Sequence, residues 1–202
     1  MTRATALLRK CQEVVEDRQL VKVLQSEIAH ELSSDRFKKY AFSPPVDFVM
    51  EWDGPQSQDV FMRRKCETGE EIAVSAMLGP EILETEGAFP REVSMKVSLK
   101  KPGLASVLQL DCGVCAKSAS GSEIDIRSVY FLHSPTAWCP SIYKGPSLKT
   151  LDPLLQEELR GYLVSKGVGT YLTDYLLFYL HKKEQDQYVK WLQKLKSMVA
   201  RQ

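Results

Sequence analysis

The amino-acid sequence predicts an α+β fold, an antiparallel sheet bracketed by one N-terminal and two C-terminal helices. Three observations carry this. Apolar residues follow a helical period over residues 1–33, switch to a period of two from Val46, and return to a helical period from Leu151. Short turn signals, among them Asp53-Gly54-Pro55, Thr68-Gly69, Gly79-Pro80, Pro102-Gly103 and Ser120-Gly121, separate the period-two segments. No helix-length pattern interrupts those segments, so consecutive strands are antiparallel and a doubly wound parallel sheet is excluded.

The first helix is expected over residues 1–33, with Leu7, Cys11, Val14, Val21, Ile28 and Leu32 in alternating steps of three and four and Leu8, Val15, Leu20 and Leu24 widening the stripe. Ser33-Ser34 and Pro44-Pro45 mark its exit, because a residue before proline is driven out of the helical region. The sheet follows over residues 46–132. Its plainest strand alternates Val93, Met95, Val97 and Leu99 with Ser94, Lys96 and Ser98, which sets one face on a core and the other in water. Shorter alternations cover residues 46–52, 60–65, 72–78, 104–116 and 124–132, six strands in all. A seventh is sought by dividing residues 104–116 or at residues 138–143, where flanking prolines argue against a central strand. The C-terminal helices occupy residues 151–200. Asp152-Pro153 caps and opens the first, Gly167 supplies a left-handed stop, and Thr170 caps the second. Gly161, Gly167 and Gly169 are all placed as helix stops and starts.

The chain of 202 residues has no Gly-, Ser- or Pro-rich linker and is expected to form a single domain over residues 1–202. Its formal net charge is +1, so overall charge marks it neither as a nucleic-acid binder nor as an acidic solubiliser. The charge is nonetheless polarised: residues 51–92 carry ten acids against four bases, and residues 182–202 carry six bases against two acids. No apolar run is long enough to span a bilayer. Arg3, Arg9 and Lys10 with no acid among the first twelve residues give a weak transit-peptide bias, but helical patterning starts at once, so a helix start in a truncated or processed chain is expected ahead of a complete targeting peptide. Five cysteines without a secretory context point to a reducing compartment.

Cys112-Gly113-Val114-Cys115 has redox- or zinc-like spacing, with His133 and Cys139 available to complete a ligand set. In an extended strand, however, Cys112 points with Leu108, Leu110 and Val114 while Cys115 points away, and only a bulge at Gly113 would bring the thiols together. Packing thiols are therefore expected, with no metal, cofactor or catalytic residue. His30, His133 and His181 are scattered, and no phosphate-binding glycine loop follows a strand. Lys190, Lys194 and Lys196 line the last helix beside an apolar seam; they are read as a solvated edge or as an anion- and RNA-facing surface. Glu81, Glu84 and Glu86 are the acidic candidates for partner binding. Leu24, Ile28, Tyr188, Trp191, Leu192 and Leu195 are the candidates for coiled-coil-like helix packing or subunit contact. Two wide terminal stripes and one sheet face exceed what a small domain hides, so self-association is expected.

The segment "LDPLLQEELRGYLVSKGVGTYLTDYLLFYLHKKEQDQYVKWLQKLKSMV", above all residues 183–199, closely resembles the C-terminal signature of the mitochondrial glycoprotein family. The early segment "LLRKCQEVVEDRQLVKVLQSEIAHELSSDRF" is similar to the family's N-terminal helix, and together the two matches bracket nearly the whole chain. The resemblance implies a twisted antiparallel sheet of about seven strands assembled as a ring-shaped homotrimer. It also implies a non-enzymatic scaffold of the mitochondrial matrix that engages other matrix proteins and supports mitochondrial gene expression and oxidative phosphorylation. An organellar RNA-associated factor acting through the basic C-terminal helix is the alternative. Well-known members are markedly acidic, whereas this chain is near neutral and lacks a long acidic tract.

Overall fold

A computed structural model describes residues 3–34, 36–37, 40, 42–81, 89–117, 121–134, 142–143 and 145–200. The chain divides into two compact units, one comprising residues 40–181 and the other residues 1–39 with 182–202.

The first unit is built on a six-stranded antiparallel sheet in sequence order: β1 (Val49–Trp52), β2 (Asp59–Lys65), β3 (Glu71–Glu81), β4 (Arg91–Lys100), β5 (Val107–Lys117) and β6 (Gly121–Leu132). The α+β class stands, but the strand count among the described residues is six rather than seven. Residues 107–114 pair without a break against β4, and residues 115–117 continue the same strand against β6, because the backbone stays extended through Gly113, so the segment does not divide into two strands. Most of the other candidate, residues 138–143, lies outside the described residues.

One face of the sheet is apolar. Val60 and Met62 of β2, Ile72, Val74 and Ala76 of β3, Val93, Met95 and Val97 of β4, Leu110, Cys112 and Val114 of β5, and Ile126 of β6 all join one core. Burying a side chain of this size contributes about 1.5–3 kcal/mol. The core is closed by α2 (Pro153–Ser165) through Leu163, and by the first turns of α3 (Thr170–Val199) through Leu172, Leu176, Leu177 and Leu180. A short 3-10 helix (Leu148–Thr150) adds the buried Leu148. The outer face carries a small second cluster in which Val107, Tyr130 and Leu132 are buried and Ile142 packs alongside.

Local chemistry fixes the helix ends. The Asp152 carboxylate accepts the amides of Leu154 at 2.9 Å and Leu155 at 3.3 Å, and Pro153 stands where a missing N–H costs nothing. At the far end Gly167 takes a φ of +83°, a region side chains avoid, and Val168 N–H bonds back to Leu163 O at 3.0 Å. Arg64 donates to Lys166 O at 3.2 Å, and Lys166 Nζ lies 2.5 Å from Glu70, which ties this corner to β2 and the β2–β3 turn. The Lys166 ammonium in turn holds the Glu70 carboxyl below its ordinary range. Gly161 departs from its expected role. It sits inside α2 with helical neighbours on both sides and ends nothing.

The second unit contains α1 (Arg3–Ser33) and the C-terminal part of α3. Gln185 Nε2 donates to Glu31 O at 3.2 Å and to Glu31 Oε2 at 3.1 Å, while Tyr188 OH donates to Glu27 Oε1 at 3.2 Å. As one helix ascends in number the other descends, so the pair is antiparallel. Continuing that register brings the buried Leu24 and Leu192 to one level.

Candidate partner-binding surfaces

The residues singled out on α3 separate by face. Buried positions recur at Gln185, Val189 and Leu192, whereas Tyr188 and Leu195 are half-buried and Trp191 is 53% exposed. The buried seam therefore runs beside the stripe through Tyr188, Trp191 and Leu195, and Leu192 is common to both. The helical period explains the offset: three- and four-residue steps from Gln185 reach 189 and 192 and pass over 191. On α1, Leu24 is buried and Ile28 half-buried. The Tyr188 and Trp191 rings stack at 6.0 Å, which leaves an indole face open to solvent.

Lys190 and Lys194 are exposed and border a shallow surface depression with Gln193, Ser197 and Met198; Lys196 is half-buried. No carboxylate among the described residues pairs with Lys190 or Lys194. Glu81 closes β3 opposite Arg91 of β4, past a register shift, and Glu84 and Glu86 lie outside the described residues.

The strand geometry keeps the two β5 thiols apart. Cys112 is buried in the core and Cys115 is exposed on the other face. The irregularity in this region is a bulge in β6: Asp111 faces Ser128 and Cys112 faces Ile126, leaving Arg127 as the additional residue. Its guanidinium lies over Gly113, where a Cβ would come within 2.5 Å of Nη2, and reaches Glu92 at 2.5 Å. Burial pushes the Cys112 thiol up to about 12, and burial with the Glu92 charge raises that of Cys115. Neither sulfur is an activated thiolate. His133 is exposed and edge-on to Phe131 at 5.4 Å, and Cys139 lies outside the described residues. Among the described residues no three His, Cys, Asp or Glu side chains are arranged to hold a metal ion.

Several arrangements have no clear signal in the sequence. His181 is buried; its Nδ1 is 2.7 Å from Leu177 O, so Nδ1–H donates there and Nε2 accepts the Arg91 amide at 3.3 Å. This joins α3 to the start of β4. On the outer sheet face Tyr130 OH donates to Asp111 Oδ2, while the buried Asp111 Oδ1 has no hydrogen-bond partner among the described residues. At the other end of β6 the Ser122 amide donates to Asp174 Oδ1 at 2.8 Å, and the Ser122 and Thr173 hydroxyls meet at 2.6 Å. No helix among the described residues is long and apolar enough to cross a membrane.

Known proteins of this architecture fit the same pattern. Trypanosoma brucei p22 superposes with a TM-score of 0.68 at 20% identity, over 92% of this chain and all of that one. A Leishmania major protein of unknown function, described as a sequence homologue of human p32, gives 0.68 at 16% identity over 92% of this chain and 99% of its own. In sequence, the mitochondrial acidic protein mam33 of Schizosaccharomyces pombe is 32% identical over 129 residues, which make up 56% of this chain and 46% of that protein. The match thus spans about half the length of that curated relative. Residues 65–199, which include β3 to β6 and both C-terminal helices, match the mitochondrial glycoprotein family, and the chain belongs to that family.

Proposed function

We propose that the chain is a non-enzymatic, homotrimeric partner-binding scaffold of the mitochondrial matrix, one that serves mitochondrial gene expression and oxidative phosphorylation by holding other matrix proteins through complementary charge. The observation that carries this reading is the exposed cationic row of Lys190 and Lys194, without a described carboxylate partner, on a helix whose opposite side is buried. The family supports it, since the curated relative is a mitochondrial protein. Exposed charges are screened within about 8 Å at physiological ionic strength, whereas apolar contacts between subunits tolerate moderate salt.

Pull-down from matrix extract across a salt series, with sedimentation in parallel, tests the proposal. Partners should be released as salt rises while the trimer persists. Reversing Glu81, Glu84 and Glu86 to Lys should remove basic partners, and reversing Lys190, Lys194 and Lys196 to Glu should remove anionic ones. Partners that stay bound at high salt, or a bound set unchanged by both reversals, would overturn it.

The second reading, an RNA-associated factor, is favoured by one specific feature. Trp191 offers an exposed indole beside Lys190 and Lys194, which pairs a stacking surface with phosphate-neutralising charge. RNA retention should then fall steeply with salt and with Trp191→Ala.

A further inference from the structure

α2 turns its buried side, Leu163 with Leu159 and Tyr162, to the core and presents an unusual outer side. Leu154, 66% exposed, stands diametrically opposite the core. Gly161 follows two turns later, and Val164, 58% exposed, comes almost one turn after that. Glu157 and Glu158 flank this row on its two sides, both exposed and both without an ion-pair partner among the described residues. Tyr171, at the start of α3, is a further exposed ring beyond the row.

Gly161 is the telling position. Helix interiors disfavour glycine relative to alanine, and no described atom lies within 4 Å of where a Cβ would stand. Nothing among the described residues would clash with a Cβ there. A glycine at such a place lets another backbone come close, and the row then becomes two apolar ridges about 15 Å apart with a notch between them. Ridges and a notch at helical spacing accept a second helix, and the two glutamates, against the single exposed Arg160 on the Glu157 side, leave the flanks net acidic and favour a basic partner.

We propose that the outer face of α2 is a docking site for a basic amphipathic helix, a partner segment whose apolar stripe is bordered by Lys or Arg. The stripe settles over Gly161 between Leu154 and Val164, and the bordering cations meet Glu157 and Glu158. This rests on the reading of the chain as a partner-binding protein and adds to it a surface separate from Lys190 and Lys194.

The test uses the purified full chain and a labelled synthetic 18-residue helix with leucines at helical spacing bordered by lysines, read by fluorescence anisotropy. A peptide with glutamates in place of the lysines is the control. The wild-type chain should bind the basic peptide and not the acidic one. Leu154→Ser with Val164→Ser should weaken binding at least about tenfold, as should Glu157→Lys with Glu158→Lys. Gly161→Ala should raise the Tm by a few degrees and yet weaken binding, and Gly161→Leu should weaken it further. Opposite signs for stability and affinity distinguish a docking notch from a structural glycine. Failure of the wild-type chain to bind, equal binding of both peptides, or tighter binding by Gly161→Leu as a merely sticky patch would give, overturns the proposal. So does sedimentation in which Leu154→Ser with Val164→Ser dissociates the assembly, because the face then lies between copies of the chain. Purified components make this outcome independent of the matrix pull-down.

Discussion

The sheet unit and the terminal-helix unit are stabilised in different ways. In the first, every strand from β2 to β6 sends apolar side chains into one core closed by α2 and the first turns of α3. In the second, the seam between α1 and the end of α3 buries Leu24, Val189 and Leu192, and much of the pairing is polar: Gln185 on Glu31 and Tyr188 on Glu27. Apolar burial scales with area, and a net hydrogen bond contributes only about 1 kcal/mol. The sheet unit therefore rests chiefly on apolar burial, whereas the described part of the helical pair, residues 17–33 with 182–199, leans more on polar contacts and leaves Trp191 exposed.

The largest effect that separates the two is a core cavity. Leu110→Ala removes a fully buried side chain and should cost about 2–5 kcal/mol in global unfolding by denaturant. Leu192→Ala, also of a buried leucine, should act locally: amide exchange should accelerate over residues 17–33 and 182–199 while strands β3–β5 keep their protection. A global loss equal to that of Leu110→Ala would show the two units to be one cooperative body.

Alkaline pH should act on the sheet unit. Tyr130 is held protonated by burial and by its bond to Asp111, which together push its pKa up to about 12, and burial does the same for Cys112. For both groups the folded value exceeds the unfolded one, near 10 for tyrosine and 8.5–9 for cysteine. Their contribution is complete below the unfolded values and is lost as pH rises through the folded ones. Stability should fall between about pH 9 and 12, by roughly 2 kcal/mol for Tyr130 and roughly 4 kcal/mol for Cys112. Cys112→Ala should remove the lower part of that slope and Tyr130→Phe the upper. Tyr130→Phe should also cost about 1–3 kcal/mol at neutral pH, since it leaves a second Asp111 oxygen without a partner. Denaturant midpoints measured against pH settle both.

In the helical unit the corresponding polar deletion is Gln185→Ala. It strips the Glu31 carboxylate and carbonyl of a donor and should cost about 1 kcal/mol, visible as faster exchange in the last two turns of α1. No change there would mean that packing alone holds the pair.

The two units were also unequally legible in the sequence. Strict alternation from Val93 to Leu99 located β4 to within a residue or two, and the same alternation sent Cys112 and Cys115 to opposite faces. Asp152-Pro153 and Gly167 marked the ends of α2 because capping and left-handed geometry depend on local residue type. Gly161 defeated that logic, since a glycine inside a helix reads in sequence like one that ends it. The Arg127 bulge gave no sign because it inserts an exposed residue without breaking the run of buried ones. Tyr130 joined the outer cluster because β6 changes its facing across that bulge, and no residue type records a register shift. On α3 the apolar residues from Tyr188 to Leu195 are wide enough to suit more than one face, so the seam was settled by its partner helix. The acidic candidates remain proposals: two of them lie outside the described residues, and charge alone gave them no geometry.

The smallest effect on the fold is the one that bears most on assembly. Trp191 is exposed in the single chain, so Trp191→Ala removes little that the chain itself buries and should leave its unfolding within about 0.5 kcal/mol at concentrations where it stands alone. If the proposed trimer exists and covers this ring, the same substitution removes a large apolar surface from the contact and should weaken association by at least about tenfold, because aromatic anchors dominate such interfaces. Sedimentation across a dilution series reads the association, and unfolding at the lowest concentration reads the chain. Unchanged association would leave Trp191 on the free surface, where an open indole beside Lys190 and Lys194 is available to stack on a base, and RNA retention by the same variant would then report on that second reading. A loss of stability at every concentration would instead show that the indole packs within the chain and that the seam through Gln185, Val189 and Leu192 is broader than its buried residues suggest.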